Sequence, residues 1–353
     1  MIIGTCGFCS TGSSAVSDYL KEFDENQVLD DLELTMAYLP DGLEDLDYHL
    51  NRNINRDDNC GIAIPRFRRF MHTYEHMASV LKGIPESEAR KRTEDFLDSL
   101  IQLKWKSSRR SDHLLYPTWF YRNIGCRLLN QRLIPLLKKI TGKRLVIYPN
   151  RILDVCLRPE GFVEKSQQLI KWYLESFGAD YNKNIVLDQP FIGNDPAKSF
   201  KYFGDAIAIV VDRDPRDNYI FTKEFLSKRG RFMPSDTVQD FVKYYKLLRD
   251  KMPYKQQNER ILRLNFEEMV YDYDKATAKI RRFCNLPQNP RPKSVFDPAL
   301  SVNNTQLILK FPQYADDIKY IEQKLPEYLF DFDHYPKPDN SGIMFMGKSP
   351  LNK

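Results

Sequence analysis

Apolar residues recur along this chain in two alternating periods. Ile2 and Ile3 open a short apolar run that ends in small residues at Gly4 to Gly7. Ala15, Val16, Tyr19, Leu20 and Phe23 then follow at helical spacing, so the pattern predicts strand, tight turn, helix. A second short strand is expected over Asn26–Leu34, and Leu39-Pro40-Asp41-Gly42 marks a turn. From about Pro65 to Gly142 the spacing is helical and rich in charge. There Leu128, Leu129, Leu133, Leu136, Leu137 and Ile140 form an apolar stripe flanked by Arg127, Arg132, Lys138 and Lys139. This block, residues 65–142, reads as a helical insertion.

Alternation then resumes. Strands are expected at Arg144–Tyr148, Ile185–Leu187, Ala206–Val211 and Arg260–Leu264. Helices are expected at Pro159–Phe177, Pro215–Leu226, Thr237–Asp250, Asp274–Phe283 and Asp316–Leu329, with Val238, Phe241, Val242, Tyr245 and Leu248 on the inner face of the third. A tail follows from about residue 331 to 353. The run Ala206-Ile207-Ala208-Ile209-Val210-Val211, bounded by charge, suits the centre of a parallel sheet covered on both faces. The expected fold class is therefore α/β: one domain over 1–353, a three-layer sandwich with a central parallel sheet and a helical insertion.

Composition narrows the class. With 42% hydrophobic and 13% aromatic residues, the chain can bury a large core and is neither disordered nor a small disulfide scaffold. No apolar run approaches a membrane span, and no basic flank precedes an apolar stretch at the N-terminus, so a soluble cytoplasmic protein is expected. Its six scattered cysteines then read as reduced thiols. A net charge of +5 suits a small anionic ligand or a glycan better than nucleic acid. The basic stretch Arg127 to Arg144 raises a peripheral membrane contact beside its reading as a packed helix with a wet face. His72 and His76 stand four apart but lack the His-Glu-x-x-His order, and no metal site is expected. Cys6 and Cys9 have redox-pair spacing without a thioredoxin-like frame.

Two segments carry chemistry. Gly7-Phe8-Cys9-Ser10-Thr11-Gly12-Ser13-Ser14 lies between the first strand and the first helix with the glycine spacing of a P-loop. Small residues there let successive N–H groups turn toward a phosphate at a helix N-terminus. A nucleotide-hydrolysing loop has Lys where this chain has Ser13, so ATPase or kinase chemistry lacks its main charge stabiliser. The long central strand ends in Asp212-Arg213-Asp214-Pro215-Arg216-Asp217. Pro215 suits the first helical position and Asp214 the N-cap. Arg213 thus emerges at a strand's carboxyl end, where a guanidinium can grip a phosphate. Two anion sites on neighbouring strand ends are what a nucleotide with separated phosphate groups needs.

With these segments the chain resembles the sulfotransferases that use 3′-phosphoadenosine 5′-phosphosulfate. Ser10-Thr11-Gly12-Ser13-Ser14 looks like the family's 5′-phosphosulfate loop, and Ile209 to Asp217 like its 3′-phosphate motif. Leu262 to Val270, followed by Asp272 and the helix ending at Phe283-Cys284-Asn285-Leu286, looks like its later strand–Glu–helix segment. The resemblance implies a P-loop-like α/β fold and sulfuryl transfer to a hydroxyl or amine, without a metal. It implies that Cys9, Ser10, Thr11, Gly12, Ser13 and Ser14 cradle the 5′ end of the donor, that Arg213 binds the 3′-phosphate, and that Phe266 lies near the adenine.

Two departures stand out. Many members have Lys at the position of Ser10, so another basic residue must serve; Arg66, Lys104, Lys106 and Arg109 are candidates. The family's Ser, eight residues after the first Arg, is here Phe221, with Thr222 next to it. For the base, Glu33 at the end of the second strand is favoured, with His113 and His49 in reserve, and Ser10 is a hydrogen-bond donor to the reacting group. The reading is a sulfotransferase acting on a carbohydrate or glycolipid hydroxyl. A P-loop kinase or hydrolase, or a nucleotide-binding protein without catalysis, are the alternatives.

Overall fold

A computed structural model describes residues 1–54, 58–109, 112–142, 150–226, 233–250 and 258–339. The strand expected at Arg144–Tyr148 and the tail beyond 339 lie outside them. The chain forms two compact units, Met1–Thr35 with Gly178–Lys353, and Met36–Phe177.

The first unit holds a five-stranded sheet, made of β1 (Ile2–Cys6), β2 (Asn26–Glu33), β5 (Asn184–Asp188), β6 (Ala206–Asp212) and β7 (Ile261–Asn265). All neighbours are parallel, in the order β2-β5-β1-β6-β7. Every residue of β1 and β6 is buried, as near-continuous apolar runs require. On one face Ile3, Ile207, Ile209 and Val211 pack with Val16, Leu20, Met269 and Ile280 of the flanking helices. Toward the other face, Gly4 is approached so closely by Phe191 that a Cβ would lie 2.5 Å from the ring. A separate cluster joins Tyr219, Phe241, Val242 and Tyr245 to Ile318 and Ile321.

Topology positions the site. The chain leaves β1 toward β2 on one side of the sheet and β6 toward β7 on the other, so strand order reverses between β1 and β6. Cys6 pairs with Val210 in register, and both strands end side by side at that switch point, where α/β sheets bind ligands.

The second unit contains the helices Asp58–Lys82, Glu86–Leu100, Trp119–Thr141 and Phe162–Ser176. It also holds an antiparallel pair, β3 (Leu103–Ser107) with β4 (Arg151–Val155). Lys104 and Lys106 therefore sit on a strand where helical spacing was expected. The reason is legible: Leu103 and Trp105 alternate with the two lysines at period two, and β4 supplies the ladder. In the first unit the last helix, Ala315–Lys324, stops short of Leu329, because Pro326 bars Leu325 from continuing it.

Candidate functional site

The loop Gly7 to Ser14 leaves β1 at the switch point. Gly12 shapes it: its φ is +88°, and a Cβ there would meet the Phe266 ring at 2.5 Å, so conformation and space both select glycine. Cys9 and Ser10 also hold positive φ, 71° and 55°, a cost that persists only where surroundings enforce it. The enforcing contacts are specific. Phe8 N–H donates to Thr11 Oγ1 at 3.1 Å and Gly7 N–H to Gln189 Oε1 at 3.1 Å. Asn218 Nδ2 reaches Cys9 O at 3.1 Å and Ser10 O at 3.3 Å, and Arg213 Nη1 donates to Ser10 O at 3.2 Å. The helix Ser13–Leu20 begins at Gly12 without a side-chain cap. Among the described residues the N–H groups from Ser10 to Ser14 meet no acceptor, leaving a row of donors at a helix start.

Arg213 is buried at the end of β6, 5.0 Å from the Phe221 ring and 5.3 Å from the Phe266 ring. Its Nη2 donates to Asn304 O, while its Nε is buried with no partner among the described residues. Burial lowers its proton affinity, and Asp217, Glu267 and Asp214 oppose that. Burial, then the charge of Asp214, pushes the Asp217 carboxyl up to about 6. Burial, then Asp214 and Asp217, raises Glu267 well above the usual carboxylate range.

Arg249 adds a second buried guanidinium. Its Nε donates to Asp212 Oδ2 at 2.9 Å and its Nη2 to Asp212 Oδ1 at 2.6 Å. The same group stacks 3.5 Å from the Tyr245 ring centroid and 4.2 Å from that of Phe8. Arg249, not Leu248, is thus the inward residue of its helix: it is 1% exposed, because a carboxylate and two ring faces receive it.

An acidic pair flanks the other side of the loop. Glu33 is the register partner of Asp188, the last residue of β5. Asp188 Oδ1 is buried without a partner among the described residues. Burial, then Glu33 and Asp30, pushes its carboxyl up to about 7. The adjoining Gln189 bridges Gly7 N–H and Ser13 Oγ, donating to the latter at 2.9 Å. The uncapped N–H groups thus follow β1, with the buried guanidinium at the end of β6 on one side and the raised Asp188 carboxyl at the end of β5 on the other. That arrangement can bind an anion and accept a proton next to it.

No family model matches this chain, and no curated protein does. Solved structures that align with it include a sulfotransferase domain from the curacin biosynthetic pathway, with a TM-score of 0.37 and 10% identity over 84% of this chain and 77% of that one. The sulfotransferase STF9 from Mycobacterium avium aligns with a TM-score of 0.36 and 14% identity, over 96% of this chain and 78% of that one. Likeness at this level says nothing about the chemistry of the present chain.

The structure brings Ser10, Thr11, Gly12, Ser13, Arg213 and Phe266 together, and Ser14 stands exposed at the first helical turn. Thr11 is turned inward, its hydroxyl accepting the Phe8 N–H. Cys9 is exposed overall, while desolvation of its thiol and then the charge of Glu33 raise its proton affinity against the Ser10 hydrogen bond. Phe266 packs its ring on Gly12 and Arg213. Thr222 is buried with its hydroxyl 3.9 Å from Met233 Sδ, one helical step of about 100° past Phe221, whose ring lies beside Arg213. Among the proposed substitutes for the missing lysine, Arg66 pairs with Asp41, Lys104 with Asp98 at 2.6 Å, Arg109 lies over the Trp105 ring, and Lys106 sits opposite Ile152 on β3. All four belong to the second unit.

Sequence reading missed Asp188, Gln189, Asn218, Arg249 and Glu267. Asp188 had a signal: it ends a buried apolar strand as Asp212 does. So did Arg249, a charge four residues beyond Tyr245 on an apolar helical face.

Proposed function

We propose that this protein is a sulfotransferase that takes a sulfuryl group from 3′-phosphoadenosine 5′-phosphosulfate and places it on a hydroxyl of a carbohydrate or glycolipid. The observation that carries the reading is the direct link between the two anion sites, Arg213 Nη1 on Ser10 O at 3.2 Å. A single nucleotide can span sites that touch. The residues fit such a ligand: the N–H groups from Ser10 to Ser14 lack acceptors among the described residues, and Arg213 Nε is buried without one. A cavity of about 140 Å³ at the ends of β6 and β7 is lined by Asp212, Arg263 and Asn265.

When bound, the donor supplies an activated sulfuryl group on a phosphate that can leave. The chain's residues do the rest. The loop N–H groups and the Ser10 hydroxyl hold the 5′ end and meet the charge that grows on the leaving oxygen. Arg213 holds the 3′-phosphate through Nε, and Asn218 and Arg249 keep the loop in shape. Asp188 and Glu33 take the proton of the acceptor hydroxyl; a carboxyl that titrates near 7 suits a general base working near neutral pH. With Ser13 at the position of the hydrolytic lysine, the site is poorer for ATP turnover.

The test is a thermal melt with 3′,5′-bisphosphoadenosine, paired with transfer of labelled sulfate to a panel of glycans. Binding to the native fold raises Tm, and Arg213→Ala removes the rise. No rise with the intact protein ends this reading; a rise without transfer to any glycan leaves a nucleotide-binding protein.

A further inference from the structure

Within the second unit, the helix Trp119–Thr141 runs for 23 residues and buries two of them, Trp119 and Ile134. Trp119 packs on Tyr116, with ring centroids 5.9 Å apart, and carries Arg122 over its other side at 5.3 Å. Otherwise the helix presents a run of large apolar side chains to solvent. Phe120, Tyr121, Ile124, Leu128, Leu129, Leu133, Leu136 and Ile140 are 41–81% exposed. Leu129, Leu133, Leu136 and Ile140 fall at i, i+4, i+7 and i+11, which gathers them into one narrow stripe. Arg127, Arg132, Lys138 and Lys139 lie off that stripe, and the whole helix contains no Asp or Glu. A surface helix of a soluble protein turns such a stripe inward, so a stripe left outward marks an interaction surface.

We infer that the helix Trp119–Thr141 docks the protein on an anionic membrane surface, its Leu129–Leu133–Leu136–Ile140 stripe entering the headgroup boundary while Arg132 and Lys139 along the edge of the stripe meet anionic lipid. Charge selects this occupant. A second copy would bring a further set of cations and no anion against the first, which opposes self-pairing. An anionic bilayer offers an apolar layer and negative charge together, the combination an in-plane amphipathic helix uses. The contact is peripheral, since among the described residues no helix is long and apolar enough to cross a membrane. The inference does not depend on the proposed activity.

Sedimentation of the full chain with vesicles tests it, using phosphatidylcholine alone and phosphatidylcholine with phosphatidylglycerol in equal parts. The protein is expected to pellet with the anionic vesicles and to stay in solution with the neutral ones. Leu133→Glu with Leu136→Glu abolishes pelleting while the thermal melt is unchanged, because both positions are exposed. Arg132→Gln with Lys139→Gln lowers the partition coefficient on the order of thirtyfold. Failure to pellet with either vesicle overturns the inference. So does equal binding to both vesicles that the two charge changes leave intact. A dimer that the two glutamates dissolve would instead make the stripe a contact between copies, and that too overturns it.

Discussion

Arg249 grips both carboxylate oxygens of Asp212, at 2.9 and 2.6 Å, from a helix that begins 26 residues after β6 has ended. Tyr245 and Phe8 cover the two faces of that guanidinium. Since Phe8 belongs to the loop after β1 and Asp212 precedes Arg213, one buried side chain ties that loop to the end of β6. Arg249→Met leaves Asp212 buried without its cation and is expected to cost about 3–5 kcal/mol in urea unfolding. Arg249→Met with Asp212→Asn recovers part of that loss. A purely additive double mutant would mean that the pair is not coupled.

Gly12→Ala is expected to destabilise by about 1–3 kcal/mol, because the new Cβ faces the Phe266 ring in a left-handed conformation. Phe266→Leu in the same background returns some of that stability by opening the space. Calorimetric melts of the two variants decide whether crowding or φ dominates.

Asp188 gives the protein a pH signature. Its carboxyl is held up to about 7 in the folded state, against an ordinary value of 3.8. A raised acid contributes stability that is complete below its unfolded value and is lost as pH climbs through the folded one. Between about pH 4 and 7, stability is therefore expected to fall for the native protein and to fall less for Asp188→Asn. At pH 8 the variant melts higher by a few degrees, and it loses the proposed sulfuryl transfer; identical pH profiles would remove Asp188 from both roles.

Thr222→Val discriminates the structure from the family pattern. The hydroxyl meets Met233 Sδ at 3.9 Å and does not reach Arg213. The variant keeps the full Tm rise with 3′,5′-bisphosphoadenosine, whereas Phe221→Ala, which strips one face of Arg213, reduces it. A lost rise in Thr222→Val would restore the hydroxyl to the site.

Local order was legible wherever a residue's partners lie a few positions away along the chain. The apolar run of β6, the uncapped turn at Gly12 and the Asp214-Pro215 helix start follow from periodicity, backbone freedom and capping, all short-range effects. The parallel sheet, and the loop and helix starts that follow β1 and β6, could be expected on that basis alone. Which residues meet there could not. Arg249 reaches Asp212 from 37 positions away, Asn218 holds the Cys9 and Ser10 carbonyls from more than two hundred, and Glu33 meets Asp188 because β2 and β5 are neighbours. Strand order β2-β5-β1-β6-β7 makes those encounters, and burial then shifts proton affinity: a side chain that would be an ordinary carboxylate in water holds its proton more tightly at Asp188 and at Glu267.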